Sequence, residues 1–184
     1  MLQIEKNKSF FEKARTIYIT GVIEAGLVEE VIKGINYFME LDNKKPIHLQ
    51  IASPGGSVPD GLALIDYIRN VKTPIHTRAI GGVASMGSLI FISGHKRVMT
   101  EMSTLMLHDM SVGTDRRQYH QMKSMNDYHE LLENNIIKVI KKYTELSDEL
   151  IKEVMTNERW FTSKECIQYK MCDTILGESN NETV

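Results

Sequence analysis

The sequence predicts an α/β fold of repeated β-α-β units with one long projecting helix. Three observations carry this. Segments rich in β-branched and aromatic residues alternate with helically spaced apolar positions over residues 16–80, glycine-rich turns stand where the predicted strands end, and an apolar stripe over residues 115–143 is too long for the core of a 184-residue chain.

The elements follow in order. Thr16 to Val22 is β-branched and aromatic, as a strand requires, and Leu27, Val31, Ile35, Phe38 and Leu41 then recur at helical spacing. Pro46 to Ile51 reads as a second strand, Gly61 to Val71 as a second helix with Leu62, Ile65 and Ile68 on one face, and Pro74 to Ile80 as a third strand. This alternation implies a parallel sheet with right-handed crossovers, whose ligands bind beyond the carboxyl ends of the strands. Two turns occupy those ends: Ser53-Pro54-Gly55-Gly56-Ser57, and Gly81-Gly82-Val83-Ala84-Ser85-Met86-Gly87, which opens an apolar helix from Ser88 to Ser93. A short strand around Arg97 to Met99 precedes another, Thr104 to His108. The helix from Asp115 to Tyr143 places Met122, Met125, Tyr128, Leu132, Ile136, Val139 and Tyr143 three or four residues apart; at 1.5 Å per residue it reaches about 42 Å, so part of it should pack on another subunit. Ser147 caps a further helix, and Thr162 to Glu165 is a capping box that starts the last. Residues 1–14 are expected to form a short arm, 15–176 one domain, and 177–184 a disordered tail.

Composition limits the function. With 42% apolar and 25% charged residues the chain is of soluble globular type, and a formal charge of −2 supplies no strong field for nucleic acid or anionic lipid. Cys166 and Cys172 match neither a redox nor a zinc spacing, and the longest uncharged apolar stretch, Ala79 to Gly94, is shorter than a membrane span. A cytosolic protein without cofactor or metal, and without nucleic-acid or membrane partners, is expected.

Ser85 is the first candidate for chemistry. A serine on a small-residue turn between strand and helix is either a nucleophile beside free backbone N–H groups or a plain helix cap. The Gly55-Gly56 turn is equally two-sided alone, but two permissive backbones at adjacent strand ends could each aim an N–H at one carbonyl oxygen. Ser57, three residues before Asp60, reads as a cap. His108, at a third strand end, can reach the same crevice as a general base. The other five histidines read as packed or solvated, and the many methionines as core filling.

Together these residues resemble the ClpP family, the proteolytic subunits of the Clp protease. The matching segments are Arg15 to Val22, Ser53-Pro54-Gly55-Gly56, Ala84-Ser85-Met86-Gly87, Leu105-Met106-Leu107-His108, Trp160-Phe161-Thr162-Ser163 and Asp173 to Leu176. The resemblance implies a crotonase-like fold, a serine endopeptidase with Ser85 as nucleophile and His108 as general base, and an oxyanion hole from the N–H groups of Gly56 and Met86. It implies an extended peptide or unfolded protein substrate that pairs with strands beside Gly56 and near Gly113. It also implies a handle over about residues 109–143 joining two heptameric rings into a tetradecamer, and an ATP-dependent unfoldase as partner.

The departures are specific. The family's third catalytic residue, an aspartate before the Phe-x-Ser motif, falls on Met155, with Asn157 and Glu158 within a small shift. The family's aromatic docking position before Ser-Pro-Gly-Gly is Gln50, the arm before Arg15 is shorter than the family's axial loop, and the segment after His108 lacks a double glycine. A weakly catalytic ring subunit, a viral capsid-maturation peptidase on the same fold, and an acyl-CoA enzyme of the same superfold are the alternative readings.

Overall fold

The computed structural model describes residues 14–110 and 119–177. Its strands are β1 (Thr16–Ile23), β2 (Ile47–Gly56), β3 (Ile75–Ala79), β4 (Gly82–Ala84), β5 (Lys96–Thr100), β6 (Thr104–Leu107), β7 (Arg159–Thr162) and β8 (Thr174–Leu176). Its helices are α1 (Ala25–Leu41), α2 (Val58–Asn70), α3 (Met86–Ile92), α4 (Tyr119–Tyr143), α5 (Asp148–Val154) and α6 (Ser163–Gln168).

The β-α-β alternation forms as expected. A five-stranded sheet in the order β1-β2-β3-β5-β8 is parallel throughout, with β1 to β2 bridged by α1 and β2 to β3 by α2. Its buried face carries Ile19, Leu49, Ile51, Ile75 and Ala79. Against them pack Val28, Val31, Ile35 and Phe38 of α1, and Leu64, Ile65 and Ile68 of α2. The chain then leaves this sheet. β4 pairs parallel with β6, and β6 antiparallel with β7, in a separate three-stranded sheet. Apolar periodicity says which face of a strand is buried but not which strand it joins, so the second sheet is a finding of the structure.

Every residue of α3 is buried. A helix with no wet face must satisfy its polar side chains internally, and the Ser88 hydroxyl donates to the Val83 carbonyl at 2.9 Å. α2 begins three residues before the expected Gly61, because Ser57 caps it, accepting from the Asp60 N–H, with a proline in the first turn.

α4 is 25 residues long, about 37 Å. Leu132, Ile136 and Ile140 are buried against the core, whereas from Met122 to Leu131 no residue is buried, and Met122 is 53% exposed. Met122, Met125, His129, Leu132, Ile136 and Ile140, spaced by three and four, form one continuous stripe; the core ends partway along it. The expected start at Asp115 and the pairing site near Gly113 lie outside the described residues, as do residues 1–13 of the arm and 178–184 of the tail.

Two arginines clamp the ends of the parallel sheet. Arg15, buried although charged, donates to the carbonyls of Asp42, Lys45 and Pro46 and lies over the Phe38 ring. Arg97 forks onto Asp173 and also donates to the Tyr143 and Lys170 carbonyls, fastening β5, β8 and the end of α4. Among the described residues no helix is long and apolar enough to cross a membrane.

Candidate functional site

The first glycine turn is shaped by β1. The register between β1 and β2 shifts between Thr20 and Val22, opposite Ser53 and Pro54. The Ser53 hydroxyl spans this irregularity, donating to the Gly21 carbonyl at 2.6 Å and accepting from the Gly55 N–H at 3.1 Å. Gly56 lies so close to β1 that a Cβ there would stand 2.2 Å from the Ile23 carbonyl oxygen. The Ser57 N–H donates to that oxygen at 2.8 Å. Successive residues of a strand direct their backbone groups to opposite neighbours, so the Gly56 N–H points away from β1. On that side β3 has already left β2, since their pairing ends at Ile51 and Ala79.

The second turn is strained. Ser85 has φ 54° and ψ −126°, one of three non-glycine residues with positive φ among those described. Its N–H donates to the Met106 carbonyl at 2.9 Å, so β6 holds the turn. Although Ser85 stands at the N-cap of α3, its side chain makes no capping hydrogen bond. Met86, the first residue of α3, keeps an N–H with no partner inside the helix, and its side chain is buried against α2 at Gly61.

The two turns meet. A Cβ on Gly55 would lie 2.5 Å from the Ser85 Cβ and 3.0 Å from its Oγ. His108 follows the last residue of β6 and is half-buried. With Gly56, Ser85, Met110 and Val58 it lines a cleft of about 480 Å³. The four residues predicted from sequence thus fall at one place: Ser85, His108 and Gly56 on the cleft, and Met86 in the packed wall beneath Ser85. Sequence reasoning missed Tyr128 and His129 of α4, which form another wall. Their presence depends on where α4 crosses the sheets, which no local motif records.

The alignment left Met155, Asn157 and Glu158 as candidates for the third catalytic position. Met155 caps the end of α5 and packs partly buried on the core. β6 and β7 pair as far as Leu107 and Arg159, and their ladder ends there, one residue short of His108 on β6 and of Glu158 on β7. Arg159 cannot accept a proton; it binds Glu153 and Glu165 and stacks over Phe161. The Glu158 carboxylate accepts from Trp160 Nε1 at 2.9 Å. Among the described residues no group of three or more metal-binding side chains occurs.

This geometry defines an α/β protein whose cleft, at the carboxyl ends of strands from both sheets, is lined by a serine, a histidine and a glycine-rich turn. A family profile described as Clp protease matches residues 3–179. The ATP-dependent Clp protease proteolytic subunit of Streptococcus agalactiae serotype V (strain ATCC BAA-611 / 2603 V/R) is 30% identical over 172 residues, covering 92% of this chain and 87% of that protein. The subunit of the same name from Lactococcus lactis subsp. lactis (strain IL1403) is 30% identical over 172 residues, covering 92% and 86%, and that of Streptococcus sanguinis (strain SK36) is 29% identical over 171 residues, covering 91% and 87%. The chain belongs to the Clp protease family, and its function at family level is proteolytic.

Proposed function

We propose that the chain is a serine endopeptidase of crotonase-like fold in which Ser85 attacks a peptide carbonyl carbon. His108 takes the hydroxyl proton and returns it to the leaving amine, and water then releases the acyl group by the same route in reverse. The N–H groups of Gly56 and Met86 hold the developing oxyanion. One observation carries the reading: Ser85 occupies a helix cap in a strained backbone without using its hydroxyl as a cap, and that hydroxyl shares the cleft with His108. Neither a metal nor a cofactor has a step in this chemistry.

The substrate is an extended peptide or unfolded protein that adds to the sheet beside Gly56. The exposed half of the α4 stripe is the contact with a second copy; it is the handle that joins two heptameric rings into a tetradecameric chamber. An ATP-driven unfoldase is its proposed partner, a reading supported by relatives that are subunits of an ATP-dependent protease.

A specific observation favours a slower variant of the same reading. Among the described residues no hydrogen bond reaches His108, and Glu158, one of the carboxylate candidates for the third position, is engaged by Trp160. Without an orienting carboxylate a serine peptidase loses roughly 10⁴-fold in turnover, so this subunit turns over slowly while assembling normally. Fluorophosphonate labelling of the native protein and of Ser85→Ala, with the assembly size measured alongside, tests the proposal. Labelling confined to the native protein supports it; equal labelling of both removes Ser85 as nucleophile.

A further inference from the structure

Gly55 and Gly56 are residues of the most permissive type, yet the proposed chemistry needs the Gly56 N–H held to within about 0.5 Å of its working position. Something outside the glycines must therefore fix them. On one side β1 does so: the Ser57 N–H donates to the Ile23 carbonyl at 2.8 Å, which seats Gly56 against the strand. At Gly55 the ladder is irregular. Thr20 pairs with Ala52 and Val22 with Gly55, so Gly21 alone faces Ser53 and Pro54, and Pro54 has no N–H to offer it. The Ser53 hydroxyl serves that gap in both directions. It donates to the Gly21 carbonyl at 2.6 Å and accepts from the Gly55 N–H, two residues on, at 3.1 Å, a serine turn laid across the bulge. Ser53 is 1% exposed, so water does not compete for its hydroxyl. The same residue also touches the other turn: a Cβ on Gly87, the second residue of α3, would stand 3.0 Å from the Ser53 carbonyl oxygen and 3.3 Å from the Ser53 Cβ.

We infer that Ser53 is a positioning residue: its hydroxyl sets the Gly55-Gly56 turn, and with it the Gly56 N–H, at the place where attack by Ser85 creates the oxyanion. The inference rests on the peptidase reading above and adds to it a residue that acts through its neighbours. Alanine at 53 keeps the packing against Gly87 and removes both hydrogen bonds at once. The Gly21 carbonyl and the Gly55 N–H are then left to each other across an irregular ladder, and the turn shifts. A misplacement of about 1 Å at a reacting position costs on the order of 100-fold in rate, and a smaller one costs less.

Ser53→Ala, Ser53→Cys and Ser93→Ala, measured on the full-length assembled protein, test this. Ser93 is the control: its buried hydroxyl donates to the Ile90 carbonyl at 2.7 Å at the far end of α3, so its loss lowers stability without reaching the turn. In Ser53→Ala the kcat for a fluorogenic peptide is expected to fall by about 10- to 100-fold, with KM within about twofold of native. A peptide aldehyde, whose tetrahedral adduct with Ser85 puts its oxygen where the oxyanion forms, loses affinity by a similar factor, while the matching peptide alcohol, which forms no adduct, binds as before. Ser53→Cys keeps a weak donor and acceptor in the same slot and shows a smaller loss of the same kind. Ser93→Ala keeps native kcat although it unfolds at a lower temperature. A kcat within about threefold of native in folded Ser53→Ala, with the aldehyde-to-alcohol ratio unchanged, overturns the inference and leaves the peptidase intact. If that variant does not assemble, native kcat and native aldehyde affinity in Ser53→Cys overturn it. Native protein that neither labels with fluorophosphonate nor cleaves the peptide removes the peptidase reading and this inference together.

Discussion

Gly55→Ala tests the meeting of the two turns, because it adds one methyl group at a position with no assigned chemical role. Two costs follow. Gly55 has φ +101°, a region in which an L-residue loses about 1–2 kcal/mol. The new Cβ would stand 2.5 Å from the Ser85 Cβ and 3.0 Å from the Ala84 carbonyl oxygen, whereas carbon atoms in contact prefer about 3.5–4.0 Å, so roughly 1 Å must be found by movement. Overpacking of that kind costs about 1–3 kcal/mol, for a total near 2–5 kcal/mol. The catalytic consequence is larger in relative terms. The yielding group is the Ser85 side chain, and a misplacement of about 1 Å at a reacting group costs on the order of 100-fold in rate. The assay is the second-order rate of fluorophosphonate labelling, with thermal unfolding measured on the same samples. Gly81→Ala is the control: its φ is +65° but no atom lies within 4 Å of the added Cβ. It carries the backbone cost alone, about 1 kcal/mol or some 2–4 °C, with labelling unchanged. Gly55→Ala labelling at the native rate would refute the argument that the glycine exists to make room for the serine.

Three further outcomes are expected. Replacing Met122 and Met125 together by glutamate puts charge on the uncovered end of the α4 stripe and converts the assembly to smaller species in analytical ultracentrifugation; an unchanged mass would show that this face is not a contact. Burial raises the Asp173 carboxyl but hydrogen bonds and charge from Arg97 outweigh it and hold the group below its ordinary value. Its contribution is therefore complete above the unfolded value of about 4 and is lost as pH falls through the folded one: Asp173→Asn is less stable than native protein to urea at pH 6, and the difference shrinks as the pH is taken below about 4. His48 and His76 meet edge to face at 5.4 Å on the outer side of the sheet. Burial lowers both, helped by Arg78 and Arg15 at His48 and by His48, Lys96 and His95 at His76. The fold favours their neutral forms, so stability is full above about pH 6.5 and falls as the pH drops below it. Replacing both by glutamine flattens that decline in denaturant titrations between pH 7 and 5.

Much of this fold was legible because its signals are local. β1, α1, β2, α2 and β3 each carry a complete period of apolar residues, and the capping box at Thr162 and Glu165 closes in both directions as the motif predicts. Ser85 was legible through turn chemistry: small residues around a serine between strand and helix are a local signature of backbone crowding, and Gly55, Gly87 and Gly61 all sit where a Cβ would meet a neighbour at 3.0 Å or less. What remained hidden depends on pairing at a distance. The three residues of β4 are too few for a pattern and gain a sheet only by meeting β6. Which group neighbours His108 depends on the register of β6 against β7, whose ladder ends at Leu107 and Arg159; the alignment left Met155, Asn157 and Glu158 open. Tyr128 looked like any apolar position of a long helix, and His129 like a packed or solvated histidine, until the crossing of α4 gave them a cleft to face.

Gly55 and Ser85 are thirty positions apart in the chain yet contend for the same few cubic ångströms. In the language of inheritance they behave as one character. With the serine in place, any residue gained at 55 displaces it; with a side chain already at 55, a later change to serine at 85 has nowhere to put its Cβ. A side chain gained at 55 is accommodated only by moving residue 85 or by the loss of its Cβ, since the overlap is mainly between the two positions themselves, with the Ala84 carbonyl the other atom in the way. A lineage that loses either one regains the arrangement by reversion, so the pair is held or abandoned together.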